Sequence, residues 1–180
     1  LAFVERLLRL GRREEALRYA EEAVAWFGKD PRLLPLLDLL VAHRGGVEDH
    51  RARFRLRPNL EDYLALKAKL GRTFAEERPR LLRQVQDPAL LARIHLLEED
   101  WKALDRLLKR ASPEVYPALA AALEERLPQE AARLYLEAAK ARVEAGGRAA
   151  YREAAGLLGR LARLDPKRAR EAAWGLVRAY

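Results

Sequence analysis

Two apolar stripes run along residues 129–145, each in the three- and four-residue steps of an α-helix. A single polar stripe with opposite charges at helical spacing separates them. A helix that is apolar on two sides packs between two neighbours, so this pattern predicts the middle of a helical stack. The first stripe is Ala131, Leu134, Tyr135, Ala138 and Ala145, the second is Ala132, Leu136, Ala139 and Val143, and the polar stripe is Arg133, Glu137, Lys140 and Glu144.

Helix starts and ends recur along the rest of the chain. Asp or Ser precedes proline at Asp30, Asp87, Ser112 and Asp165, where the side chain can cap a helix that begins at the proline, and Asn59 can cap a further one. Glycines mark the ends of other helices, and β-branched residues are too rare to indicate a strand. The pattern predicts about twelve short helices, at 1–10, 13–27, 31–44, 47–57, 59–70, 73–86, 88–98, 100–110, 113–126, 129–145, 148–164 and 166–179.

Three prolines fall inside predicted helices. Pro35 and Pro117 each come four residues after a helix-starting proline, so each either kinks the first turn or marks the true start of the helix. Pro79 is expected to break or bend the helix at 73–86. The short connections predict antiparallel neighbours, and we expect residues 1–180 to form a single helical-repeat domain.

A degraded repeat is visible near the two ends of the chain. The small, large, small, proline spacing that is typical of the second helix of a tetratricopeptide repeat recurs there, with a leucine in place of the third small residue. The chain therefore resembles the tetratricopeptide superfamily over its ends, which implies a right-handed α-solenoid of antiparallel helix pairs. The residues that carry this resemblance are Ala154, Leu158, Leu161 and Pro166, then Ala16, Ala20 and Ala23, and also Ala131, Tyr135 and Ala138.

A narrower resemblance covers three segments, RPNLEDYLALKAKLG at 57–71, EEDWKALDRLLKRA at 98–111 and AARLYLEAAKARVEAGGRAAYREAAGLLGRLARL at 131–164. They resemble the helical C-terminal region of bacterial SWIM zinc-finger proteins. The resemblance implies a helical-repeat tail attached to a zinc finger that binds DNA or protein. That finger requires Cys-x-Cys and Cys-x-His pairs, and this chain contains no cysteine, so no zinc ligand can be assigned here.

Composition limits the covalent and metal sites that the protein can have and bears on where it is found. The absence of Cys excludes disulfides and thiolate metal sites. It leaves the compartment open, and we expect an intracellular, cytoplasmic protein. No apolar run is long enough to span a membrane. The lack of Cys and Met beside many ionic residues is typical of thermophilic proteins. Because the chain begins at Leu1, we expect it to be a fragment of a longer protein.

Catalytic chemistry is poorly represented. Ser112 is the only serine, and its hydroxyl is expected to cap a helix. A catalytic nucleophile would also need a base and a third group that orients the base. His43 and His50 lie on different helices, and a metal site there would need a third ligand such as Glu48 or Asp49. His95 is expected to pack at a helix contact. We therefore expect no enzyme activity, no cofactor and no metal.

Two further groups of residues leave alternatives open. The alternating run of Arg51, Arg53, Arg55 and Arg57 fans over half of a helix, so it forms either a solvated helix end or a phosphate contact. Trp26 and Trp101 lie near helix ends, where tryptophan more often wedges between layers than stacks on bases.

The helix at 148–164 carries the candidate binding surface. If its apolar stripe faces the stack, then Arg152, Gly156, Gly159 and Arg163 lie together on the opposite side. Two glycines inside one helix cost about 1 kcal/mol each relative to alanine, so their presence requires an explanation. Either the last helix, 166–179, packs into the groove that the two glycines leave on this face, or a partner binds there.

Two hypotheses about function follow. The first is a protein-interaction scaffold whose partner the sequence does not name, since helical stacks form curved surfaces that bind peptides or helices. The second is a nucleic-acid-associated domain, because the net charge is +8 and residues 148–180 hold eight basic but only three acidic side chains.

Overall fold

A computed structural model of the chain describes residues 2–28 and 30–179, and within these ranges every regular element is helical. Short 3-10 turns at Pro31–Leu33 and Gly71–Thr73 precede two of the α-helices. The all-helical prediction is confirmed, and each predicted segment contains one helix. The helices are α1 (Ala2–Arg9), α2 (Arg13–Phe27), α3 (Leu34–His43), α4 (Val47–Leu56), α5 (Leu60–Leu70), α6 (Phe74–Leu82), α7 (Pro88–Leu97), α8 (Trp101–Arg110), α9 (Tyr116–Leu123), α10 (Pro128–Ala145), α11 (Arg148–Leu164) and α12 (Pro166–Ala179).

Four of the five predicted capping residues, Asp30, Asn59, Asp87 and Asp165, cap the helical segments that follow them. Asp87 and Asn59 accept hydrogen bonds from the backbone N–H groups of the first turns of α7 and α5. Asp165 accepts one at the start of α12. The prediction for Ser112 is wrong, because α9 begins at Tyr116 without a side-chain cap and the Ser112 side chain bonds to Glu114 instead.

The internal prolines determine where three helices begin or end. Pro35 and Pro117 are the second residues of α3 and α9, so the helix proper begins at these prolines instead of kinking there. Pro79 lies inside α6, which ends at Leu82 and not at residue 86 as predicted. Proline has no N–H to bond the carbonyl one turn earlier, which weakens the helix around it.

The chain divides into two compact units, Leu1–Val85 and Gln86–Tyr180. In the first unit, each helix from α1 to α6 packs against the next one along the chain. Its main apolar cluster joins α1, α2 and α3, and the rings of Tyr63 and Phe74 meet edge to face at 5.2 Å between α5 and the start of α6. The single domain over 1–180 expected from the sequence stays a prediction.

The second unit is organised around α10. This helix packs against α9 on one side and α11 on the other, as its two apolar stripes predict. Ala145, assigned to the first stripe, is exposed because it is the last residue of the helix. The eight buried residues of α10 are Ala131, Ala132, Leu134, Tyr135, Leu136, Ala138, Ala139 and Val143.

A buried ionic cluster joins three helices of the first unit. Its centre is Asp62 on α5, whose carboxylate is completely buried. Arg53 on α4 donates to both Asp62 oxygens, with Nε 2.8 Å from Oδ2 and Nη2 2.7 Å from Oδ1. His50 Nδ1 lies 2.7 Å from Oδ1, and Asn59 Nδ2 donates to Oδ2 at 2.6 Å. An ionised carboxylate only accepts, so the His50 proton resides on Nδ1.

Charge balance explains why this cluster tolerates burial. Burial disfavours the Asp62 carboxylate, but the hydrogen bonds from Arg53, His50 and Asn59 outweigh it and hold the pKa of Asp62 below its ordinary value. The remaining donors of the Arg53 guanidinium reach Asp38 on α3 at 3.1 Å and Glu61 at 3.0 Å. The cluster therefore ties α3, α4 and α5 together through one arginine.

The alternating arginine run is thus only partly solvated. Arg53 is buried and Arg51 is half-buried, whereas Arg55 and Arg57 are exposed. Alternate residues on a helix point about 200° apart, so the run must place some of its members against neighbouring helices. The interpretation as a wholly solvated helix end is wrong.

Ala138→Glu should destabilise the protein by about 3 kcal/mol or more, since Ala138 is 2% exposed and the substitution would bury a charge between packed helices. The matched control is Ala145→Glu on the exposed end of the same helix, which should cost less than about 1 kcal/mol. Chemical denaturation followed by circular dichroism measures both. Equal free energies of unfolding for the two variants would show that the helix contact around Ala138 is open to solvent.

Asp62→Asn should cost about 3 kcal/mol at neutral pH, because it leaves a buried guanidinium without its main counter-charge. The contribution of Asp62 is fully present above about pH 4, the unfolded pKa, and is lost as the pH falls through the lower folded pKa. The stability gap between wild type and variant should therefore shrink in acid.

The control for this substitution is Glu61→Gln. Glu61 bonds the same guanidinium, but its side chain is 76% exposed, so its loss should cost less than about 1 kcal/mol. If Asp62→Asn were no more costly than Glu61→Gln at neutral pH, the cluster would not stabilise the first unit.

Candidate protein interface

The four residues predicted to share one face of α11 are all exposed. Arg152, Gly156, Gly159 and Arg163 lie on the side of the helix away from its buried residues Ala154, Leu157 and Leu161. A Cβ atom added at either glycine would meet no heavy atom within 4 Å. Two positions of low helix propensity therefore face open space within the described chain.

The last helix does not cover these glycines. Helix α12 packs against α10 and α11 beside a groove of 420 Å³ on a different side of α11. The alternative that α12 packs into the glycine face is therefore wrong, because the apolar stripe of α11 draws α12 to the side of Ala154 and Leu158. The residues around that groove are Val143, Tyr151, Ala154, Ala155, Leu158, Ala173 and Leu176.

A second groove, of 500 Å³, extends from Gly156 across to α9. Small and apolar residues of α9 form one wall, and α11 forms the other. An ion pair between Arg142 Nε and Glu153 Oε2, 2.9 Å apart, joins α10 to α11 at its rim. We name this the α9–α11 groove, and its lining residues are Pro117, Ala118, Ala121, Arg142, Glu153, Gly156, Leu157 and Arg160.

Arg160 lines this groove and is absent from the set of residues predicted from the sequence. Its Nη1 donates to the Tyr135 hydroxyl at 3.3 Å, and its guanidinium carbon lies 5.9 Å from the centre of the Tyr135 ring. The same hydroxyl donates to Glu124 at the end of α9. Burial and the Glu124 hydrogen bond together raise the pKa of Tyr135. The buried tyrosine thus holds an arginine in position at the groove wall.

The α9–α11 groove combines shape and charge in a way that suits a peptide or helix. Its walls are largely apolar, the missing side chain at Gly156 leaves room for close backbone approach, and Arg160 presents a fixed cation. Gly159, Arg152 and Arg163 do not line this groove but continue the exposed face along α11. Predicted and newly found residues therefore form one continuous surface.

The histidines are used in structural contacts. His43 Nδ1 accepts from Arg13 Nη2 at 2.8 Å, while His50 bonds Asp62, so the two do not converge. His95 is buried on α7, with Nδ1 3.9 Å from Asp100. Across residues 2–28 and 30–179, no three His, Cys, Asp or Glu side chains come together in a way that could hold a metal ion.

The tryptophans lie at the surface. Trp26 is 82% exposed and Trp101 is 49% exposed, so the prediction that they wedge between layers is wrong. The buried face of α2 is built from Ala16 and Ala20, and helical geometry places Trp26 to one side of it. Trp174 on α12 is 62% exposed.

In the described ranges, no helix is both long enough and apolar enough to cross a membrane. Comparison of the chain with family models, with curated proteins and with solved structures finds no match.

Proposed function

We propose that this chain is a non-catalytic scaffold that binds a partner protein on the exposed face of α11 and in the α9–α11 groove. The observation that carries the proposal is the open space at Gly156 and Gly159. Each glycine costs about 1 kcal/mol of helix stability relative to alanine, and no neighbouring helix of the described chain packs there to offset it. A partner backbone in close contact would provide that compensation.

The wider architecture proposed for this scaffold is a right-handed α-solenoid of antiparallel helix pairs. The successive packing of helices from α1 to α6 and from α9 to α12 supports it. So does the burial of α10 on two sides, which is typical of an interior helix of a repeat array. The proposed affiliation with the SWIM zinc-finger proteins would be supported by a Cys-x-Cys and Cys-x-His block in the same full-length protein.

The second candidate function is binding of nucleic acid by the basic C-terminal third. None of the eight basic side chains between residues 148 and 180 forms an ion pair with a carboxylate in the part of the chain that the structure describes. Such a surplus of cations without carboxylate partners attracts phosphate backbones. The apolar lining of the α9–α11 groove favours a protein partner over this alternative.

Replacing both glycines by alanine should raise the free energy of unfolding by about 1–2 kcal/mol, because alanine is the better helix former and nothing lies within 4 Å to clash with it. Denaturation followed by circular dichroism provides the measurement. A less stable double variant would show that another part of the chain covers this face.

Partner binding is tested with a bulkier pair, Gly156→Leu with Gly159→Leu, in the full chain. The matched control is Gly175→Leu, which replaces an exposed glycine of α12 whose added Cβ also meets nothing within 4 Å. A protein captured by wild type and by the control, but not by the double variant, would be the partner of this face. Equal capture by all three would contradict the proposal.

Salt dependence separates the two candidate functions once a ligand is in hand. Binding in a mainly apolar groove should change little between low and physiological salt, whereas binding through several phosphate contacts should weaken by orders of magnitude. A steep salt dependence would therefore favour the nucleic-acid alternative.

A further inference from the structure

A polar pocket of 240 Å³ lies in the first unit, between side chains of α4 and those of α6 and the turn after it. Arginines dominate its lining, and the two carboxylates present are both already engaged. We name this the arginine pocket, and its lining residues are Glu48, Arg51, Arg55, Glu77, Arg80, Leu81 and Gln84.

Arg51 lines one side of the arginine pocket and is held in place by hydrogen bonds to two glutamates. Its Nε and Nη2 donate to the two carboxylate oxygens of Glu77 at 3.1 and 2.8 Å, which bridges α4 to α6. Its Nη1 donates to Glu48 one turn earlier on α4. One guanidinium thus pairs with both acidic groups of the pocket and is held in a single orientation. Its single positive charge offsets one of the two carboxylates, so the three arginines and two glutamates of the lining leave a net charge of +1.

Two further arginines line the same space without such a counter-charge. Arg55 follows Arg51 by one turn on α4, and Arg80 follows Glu77 by one turn on α6. Within residues 2–28 and 30–179 neither side chain forms an ion pair with a carboxylate. Two like charges directed into one small pocket repel each other, and a bound anion would remove that repulsion.

The geometry favours a phosphate group over other anions. One guanidinium fork satisfies the two oxygens of a carboxylate, whereas two forks from different helices suit the several oxygens of a tetrahedral phosphate. Gln84 adds an amide whose Nε2 bonds the Arg80 carbonyl oxygen at 3.3 Å and retains a second N–H. The pocket, of 240 Å³, is also small, which suits a single phosphate group better than an extended polyanion such as a nucleic acid.

We propose that the arginine pocket binds the phosphate group of a small phosphate monoester through Arg55 and Arg80, with Arg51 as a positioning residue. This site lies in the first unit and is independent of the interface on α11. It also gives a role to the part of the alternating arginine run that the buried ionic cluster does not use.

The test is a titration of the ¹⁵N-labelled full chain with inorganic phosphate near neutral pH, at ionic strength held constant with sodium chloride. The Nε–Hε signals of Arg55 and Arg80 should shift in a saturable way. The double substitution Arg55→Gln with Arg80→Gln should weaken binding by at least about tenfold, since it removes both charged forks. Arg51 is left unchanged, because its loss would leave Glu77 unpaired.

The control is Arg83→Gln, which removes one positive charge from an exposed residue beside Gln84 that does not line the pocket. It should change the affinity less than about twofold. Phosphate should also raise the melting temperature of wild type and of this control, but not that of the double variant. Circular dichroism confirms that each variant is folded.

Several results would overturn the proposal. Shifts that grow linearly with phosphate without saturating would indicate only general charge screening. Equal losses of affinity in the double variant and in Arg83→Gln would indicate the overall charge of the surface. A short single-stranded oligonucleotide that binds through Arg55 and Arg80 when inorganic phosphate does not would assign the pocket to nucleic acid instead.

Discussion

Alanine allows α10 to be buried on two sides. Large side chains at every position of both stripes would hold α9 and α11 farther from the helix, whereas four buried alanines among larger residues let both neighbours approach closely. The distance from α9 to α11 across this helix then determines whether a groove exists between them. The interface proposed on the second unit therefore depends on small residues that are buried in α10 and do not themselves belong to the interface.

The first unit is held by a different constraint, the need to neutralise one buried carboxylate. Asp62 is surrounded by donors from α4 and α5, and the arginine that serves it also reaches Asp38 on α3. Ionic clusters of this kind add less to stability than their number of contacts implies, but they are costly to disrupt and allow few alternative arrangements. The same helix α4 then directs Arg51 and Arg55 toward α6, so core packing and surface chemistry share one element.

Local patterns were enough to predict the helices and the exposed face of α11, because both depend on neighbours within a few turns. The capping residues Asp87 and Asn59 mark helix starts for the same reason. The α9–α11 groove could not be predicted, since its two walls meet only through α10. The ionic cluster carried a signal that was missed, because Asp62 lies one turn before Leu66 on the buried face of α5, where a charge requires a partner.

The exposure of all three tryptophans determines how this protein can be observed. Indole emission responds to the water around the ring, and Trp26, Trp101 and Trp174 are already in contact with solvent in the folded state. Unfolding will therefore shift their emission less than it would shift that of fully buried tryptophans. A molecule that covers Trp174 on α12 or Trp101 on α8 will shift that emission in the opposite direction, so the intrinsic fluorescence of this chain is a direct report of surface contact.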